Sequence, residues 1–159
     1  MGFADLRPTM AIENVLLAVG PSDDERIEPL ARTTIDIAGP AGATVTLAHV
    51  FTDDEYDDAR ESLDLSSSDD VTPDAVARRH ATIRDLADKL EEANVGYSIA
   101  GSVGEHGENI VSLADDVNAD IAIVGGRKRS PTGKAVFGST AQTVLLSASC
   151  PVTFVRSDH

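Results

Sequence analysis

Five short apolar runs alternate along the chain with longer stretches at helical spacing, and this alternation limits the fold more than any other feature. The runs have the length and the apolar or β-branched composition of buried strands, and they lie at 14–19, 44–51, 97–101, 120–124 and 151–156. Because they are nearly continuously apolar, they favour a parallel sheet covered on both faces. Right-handed crossovers then narrow the topologies to an α/β fold with a single doubly wound sheet and helices on both faces, and we take its strand order as 3-2-1-4-5.

The predicted strand order also fixes where a ligand would bind. The first and fourth strands are neighbours at the point where the winding of the sheet reverses, and ligands bind outside the carboxyl ends of the strands there. The loops at this point are 20–24 and 125–139. The sequence therefore predicts a site between these two loops.

Capping residues set the expected helix boundaries. Ser22 is expected to cap the first helix, and Gly39 with Pro40 is expected to end it. Thr72, followed by proline, is expected to cap a helix that runs towards Asn94. Shorter helices are predicted at 108–118 and 140–148.

The acidic residues are densest at 53–70, where nine Asp and Glu residues stand against the single basic residue Arg60. Such a segment is predicted to be a solvated acidic loop. A chain of 159 residues corresponds to about one domain. We assign that domain to 14–157 and treat 1–13 as an N-terminal extension.

Composition indicates a cytoplasmic protein. Cys150 is the single cysteine and cannot close an intramolecular disulfide, which favours a reducing compartment. No apolar stretch approaches the length of a membrane span, and the start of the chain lacks the apolar core of a signal peptide. The formal net charge is -14, and aspartate and arginine predominate over glutamate and lysine, which indicates a high-salt cytoplasm. This charge argues against nucleic-acid binding, which needs many phosphate neutralisations.

The segment 125–139 is the one stretch that has the composition of a phosphate site. Glycines after a buried strand allow backbone amides to approach an anion, and Gly138-Ser139 leads into a new helical pattern. Basic residues add to this character: Arg127, Lys128, Arg129 and Lys134. The segment is not a Walker-A loop, since Ala135 follows Gly133-Lys134, and no glycine triplet of a dinucleotide fingerprint follows the first strand.

The segment resembles the nucleotide-binding pattern of the universal stress protein family, which is glycine, two residues, glycine, nine residues, then glycine with serine or threonine. Gly125 and Gly138-Ser139 have this spacing, while Lys128 stands in place of the middle glycine. A second departure is Gly20, where the family usually places an aspartate that contacts the nucleoside. The resemblance covers the whole chain, including 47–50 in the second strand and 150–152 before the last.

This resemblance implies a fold of the adenine nucleotide alpha hydrolase type and the binding of ATP, or of AMP or ADP, with magnesium able to accompany the nucleotide. It also implies a homodimer that pairs through the last strand, 151–156. Within the site, the backbone of Val50 would meet the adenine, and cations of the loop could offset the missing glycine amide. The predicted binding residues are Gly20, Pro21, Ser22, Val50, Gly125, Gly126, Arg127, Lys128, Arg129, Gly138, Ser139 and Thr140.

Two other functions stay open on the sequence. Lys128 and Gly20 would also suit a dimeric interaction module of the same family that binds no nucleotide. The third hypothesis is a small nucleotidyl-transfer or phosphate-ester enzyme on a similar sheet. No catalytic set and no metal framework has interpretable spacing, so binding with at most weak ATP hydrolysis is the expected activity. His49 is expected to be a core residue, and His106 a loop residue without function.

Overall fold

A computed structural model describes residues 11–63, 71–126 and 139–156. The described chain contains one parallel sheet in the order β3-β2-β1-β4-β5, which confirms the predicted fold. Residues 1–10 of the predicted extension lie outside the described part. The strands are β1 Asn14–Val19, β2 Thr44–Phe51, β3 Tyr97–Val103, β4 Ile121–Gly126 and β5 Val152–Arg156.

Helices cover both faces of this sheet. On one face, Leu17 of β1 belongs to a buried cluster with Leu86, and on the other face Leu16 packs with Ile110 and Val144. Alternation of consecutive β1 residues between the two clusters is the pattern of a strand buried on both sides. The helices are α1 Ile27–Ala41, α2 Asp53–Ser62, α3 Pro73–Arg79, α4 Ala81–Glu92, α5 His106–Asp116 and α6 Ser139–Ser147.

The acidic segment is not the loop that the sequence predicted, because Asp53–Ser62 forms α2. Thr52 and Glu55 make a capping box in which each side chain accepts a hydrogen bond from the other's backbone N–H, at 3.2 and 2.9 Å. Carboxylates in the first turn also complement the helix dipole. The helix has no fully buried residue and packs through the partly buried Tyr56 and Ala59, so local capping contributes much of its stability. Residues 64–70 of the predicted loop lie outside the described part of the chain.

Three helix boundaries also differ from the predictions. The helix that follows Thr72 breaks at His80, whose extended backbone (ψ 134°) separates α3 from α4. Ser22 makes no side-chain cap; it precedes a 3-10 turn, Asp23–Arg26, that leads into α1. Pro40 lies inside the last turn of α1, which ends one residue later because Gly42 adopts the left-handed conformation (φ 66°).

No helix in the described ranges is long and apolar enough to cross a membrane.

Candidate functional site

A cavity of about 250 Å³ lies at the carboxyl ends of β1 and β4, the predicted switch point of the sheet. One turn, two strand ends and two helix starts surround it: the turn after β1, the ends of β2 and β4, and the starts of α5 and α6. Six of the predicted binding residues line it: Gly20, Pro21, Ser22, Val50, Gly125 and Thr140.

The remaining predicted residues lie elsewhere or outside the described part of the chain. Gly126 is the last residue of β4 and pairs with Arg156, and a Cβ at this position would lie 2.4 Å from the Phe154 ring. Ser139 begins α6 beside the lining residue Thr140, and it is exposed. The four residues outside the described ranges are Arg127, Lys128, Arg129 and Gly138.

The turn after β1 places a buried ion pair in the wall of the cavity. Asp23 Oδ2 accepts the Gly20 N–H at 2.8 Å, and Asp23 Oδ1 lies 3.3 Å from Arg26 Nη1. Arg26 Nη1 also donates to the Ser22 carbonyl at 3.1 Å. Burial raises the pKa of Asp23 above its ordinary value, against the opposite effects of the Gly20 N–H and of Arg26. The Asp23 carboxylate therefore lies at Gly20, the position at which the family usually has an aspartate and this chain has none.

Gly125 is required by this ion pair. A Cβ at this position would lie 2.7 Å from Arg26 Cδ and 2.8 Å from Asp23 Oδ1, both closer than van der Waals contact. The sequence explained Gly125 by the approach of phosphate to its backbone. The structure adds a second reason, which is that β4 must let the side chains of the β1 turn pack directly against it.

His106 also lines the cavity, and it lies in a helix and not in the loop that the sequence predicted. It is the first residue of α5, and its Nε2 lies 2.8 Å from Glu55 Oε1. The same Glu55 oxygen accepts the Thr52 N–H at 2.9 Å, so the capping box of α2 fixes its position. The unexpected helix α2 thus supplies a partner for a residue of the cavity.

The first turns of α5 and α6 meet beside His106. A Cβ at Gly107 would lie 2.7 Å from Thr143 Cβ, so the two helices pack closely through the bare glycine backbone. Thr140, in the first turn of α6, lines the same cavity as His106. Unpaired N–H groups at a helix start attract anions, so this end of the cavity is suited to a phosphate.

A second cavity of about 270 Å³ lies beside the first, and Pro21 lines both. His49 is buried there, with its ring stacked on Phe51 at 4.2 Å and at the same distance from the His80 ring. Burial is the main cause that lowers the pKa of His49 to about 3, and the neighbouring His80 acts in the same direction.

Within the described ranges no group of His, Cys, Asp and Glu side chains could hold a metal ion.

The sheet order and the helices on both faces are those of the adenine nucleotide alpha hydrolase-like fold. The sequence model described as "Universal stress protein family" matches residues 11–156, and the chain therefore belongs to the universal stress protein family.

Individual relatives agree with this assignment. A universal stress protein of Mycolicibacterium smegmatis is 30% identical over 92 residues, which cover 57% of this chain and 71% of that protein. The structure of a universal stress protein from Archaeoglobus fulgidus is 26% identical with a TM-score of 0.62, covering 91% of this chain and 98% of its own. A universal stress protein structure from the same organism, in complex with dAMP, is 21% identical with a TM-score of 0.58. The match covers 91% of this chain and 98% of that chain. At this identity the likeness concerns the fold alone.

Proposed function

We propose that this protein binds an adenine nucleotide in the cavity at the ends of β1 and β4, and that it does so as a homodimer. The observation that carries the proposal is the convergence of six of the twelve predicted residues, from four separate segments of the chain, on one cavity at the switch point of the sheet. An archaeal protein with the same fold was solved with dAMP, which makes an adenine nucleotide the first ligand to test.

The walls of the cavity differ in a way that suits the parts of a nucleotide. Side chains near the sheet are apolar, and Val50, Val124 and Ile110 offer a surface for a planar base. The start of α6, with Ser139 and Thr140, offers N–H groups and hydroxyls for a phosphate. ATP is the proposed ligand, with AMP and ADP as its competitors and magnesium as a companion of the longer phosphate chains. The cations of 127–129 would add to the phosphate end.

The test is calorimetric titration of the purified chain with ATP, ADP and AMP, with and without magnesium, in concentrated potassium chloride. Thr140→Asp should weaken nucleotide binding at least tenfold, because a carboxylate at the start of α6 repels phosphate while it suits the helix dipole. The matched control is Gln142→Glu, which adds the same charge to an exposed position in the same turn. Equal affinities of the two variants would contradict the proposed phosphate position. Absence of binding by the unmodified protein would favour the non-nucleotide interaction module.

A further inference from the structure

His106 is a cavity residue whose side chain is held in place from outside the cavity. Its ring is about three-quarters buried, with 23% of the side chain exposed, and it lines the cavity together with Val50 and Thr140. Glu55, which is 51 residues away in sequence, contacts its Nε2 at 2.8 Å. A side chain fixed in this way loses little conformational entropy when it contacts a ligand.

The contact with Glu55 determines which ring nitrogen faces which partner. An ionised carboxylate only accepts hydrogen bonds, and Glu55 Oε1 already accepts one from the Thr52 N–H. His106 must therefore donate through Nε2. In the neutral imidazole the other nitrogen, Nδ1, then carries a lone pair and can accept a hydrogen bond from a ligand.

The position of His106 indicates which part of a nucleotide would meet this acceptor. The apolar wall of Val50, Val124 and Ile110 suits a base, and the start of α6 at Thr140 suits a phosphate. His106 adjoins both, because α5 packs against α6 through the close contact of Gly107 with Thr143. In a nucleotide the sugar connects the base to the phosphate, and its hydroxyls are donors.

We propose that His106 is a specificity-determining residue that accepts a hydrogen bond from a ribose hydroxyl through Nδ1, with Glu55 as its positioning residue. The proposal rests on the proposed nucleotide binding. The sugar would thus be contacted by His106 at the start of α5, whose ring is oriented by Glu55 of the α2 capping box. The protein would thereby prefer ribonucleotides to deoxynucleotides.

The test combines a change in the protein with a change in the ligand. Calorimetric affinities are measured for AMP, 2′-deoxy-AMP and 3′-deoxy-AMP with the unmodified protein and with His106→Gln. Glutamine can keep a polar atom near the position of Nε2, and so the contact with Glu55, while it removes Nδ1. We expect the unmodified protein to bind AMP about five- to tenfold more tightly than one of the deoxy analogues, the effect of one hydrogen bond. His106→Gln should lose this preference and bind all three ligands alike.

Other outcomes would overturn the proposal. If the unmodified protein binds AMP and both analogues equally, no ribose hydroxyl is recognised, and this result needs no variant. A preference that survives in His106→Gln would assign it to another residue. If His106→Gln instead weakens AMP and both analogues equally but leaves adenosine unchanged, His106 contacts the phosphate. If the unmodified protein binds neither these ligands nor ATP, the proposed function itself is refuted, and the inference with it.

The positioning role of Glu55 has a separate test. Glu55→Ala should reduce the preference for AMP over the deoxy analogue, because the imidazole loses the partner that fixes its orientation. Glu108→Ala removes a carboxylate from an exposed position in the first turn of α5 and should leave the preference intact. Equal preferences in the two variants would show that His106 does not need Glu55.

Discussion

Gly125 has a packing role in addition to its proposed role in binding. Gly125→Ala would place a methyl group 2.7 Å from Arg26 Cδ and 2.8 Å from Asp23 Oδ1. We expect the free energy of unfolding to fall by about 1–3 kcal/mol, because a buried ion pair must move to make room. Urea denaturation measures the change. Gly96→Ala is the matched control, since a Cβ there has nothing within 4 Å, and an equal loss in both variants would contradict the explanation.

His49 makes a pH-dependent contribution to stability. Its pKa is about 3 in the folded protein and about 6.5 when unfolded, so the unfolded chain binds the additional proton between these values. The stability contribution is therefore complete above pH 6.5 and is lost as the pH falls towards 3. Between pH 7.5 and pH 5 the loss is about 2 kcal/mol.

His49→Leu should remove this part of the pH dependence, because leucine has no proton to bind. The substitution also removes two buried ring nitrogens that have no hydrogen-bond partner among the described residues. The free energy of unfolding of the variant at pH 7.5 should therefore lie within about 1 kcal/mol of that of the unmodified protein. The measurement is denaturant unfolding at pH 7.5 and pH 5, and the same loss in both proteins would refute the assignment to His49. His80, whose pKa burial also lowers, accounts for a remaining slope of the same sign.

At the scale of single helices, capping should have different consequences for α2 and α3. Thr52→Ala removes the capping box of α2, which costs about 1 kcal/mol of helix stability. Because α2 has no buried residue, the loss should appear as faster amide exchange within 53–62 and only slightly in global unfolding. Thr72→Ala removes the equivalent cap of α3, which buries Val76 and Ala77, and should lower global stability. Equal global effects would contradict this distinction.

The strands could be predicted because a strand buried on both faces of a sheet is a short apolar run. Chirality and connection rules narrow the sheet to a doubly wound one, but they do not by themselves determine the order 3-2-1-4-5. Helix α2 could not be found in this way, because its apolar positions are few and its capping box gives the main signal. The Thr52-x-x-Glu55 spacing was present in the sequence and would have indicated a helix start. The break at His80 has no comparable signal, because its ring packs on His49, which is distant in sequence.

The site was predictable where it depended on topology and not where it depended on long-range side-chain contacts. Gly20 and Gly125 could be predicted because they lie at the ends of β1 and β4 at the switch point, whereas Val50 is implied by the family resemblance alone. Arg26 was missed because a charged residue after an acidic turn is usually exposed, whereas its side chain is 5% exposed beside Asp23. His106 could not be identified from the sequence because its partner Glu55 belongs to a helix in the segment whose acidic composition predicts a loop.

At the scale of the whole molecule, the proposed homodimer involves the β5 edge of the sheet and the adjoining face of α6. β5 pairs with β4 and forms the edge of the described sheet, so its backbone can pair with a second copy. In the described part of the chain, Leu145 and Leu146 are the exposed large apolar side chains, at 39% and 78%. Both belong to α6, which packs on β4 and β5. Their exposure beside the edge strand supports an interface there.

Leu146→Glu should therefore weaken the dimer. A charge at this position must be desolvated or repelled when two copies approach, and we expect the dissociation constant to rise at least tenfold. Sedimentation equilibrium over a range of protein concentrations measures this dissociation constant. All variants are compared at the same high salt concentration, so that the net charge of -14 is screened equally in each. Ser147→Glu adds the same charge to the next exposed residue of α6 and should change the constant less. A dimer that is unaffected by Leu146→Glu would place the interface on another face, and a monomeric unmodified protein would refute the proposed assembly.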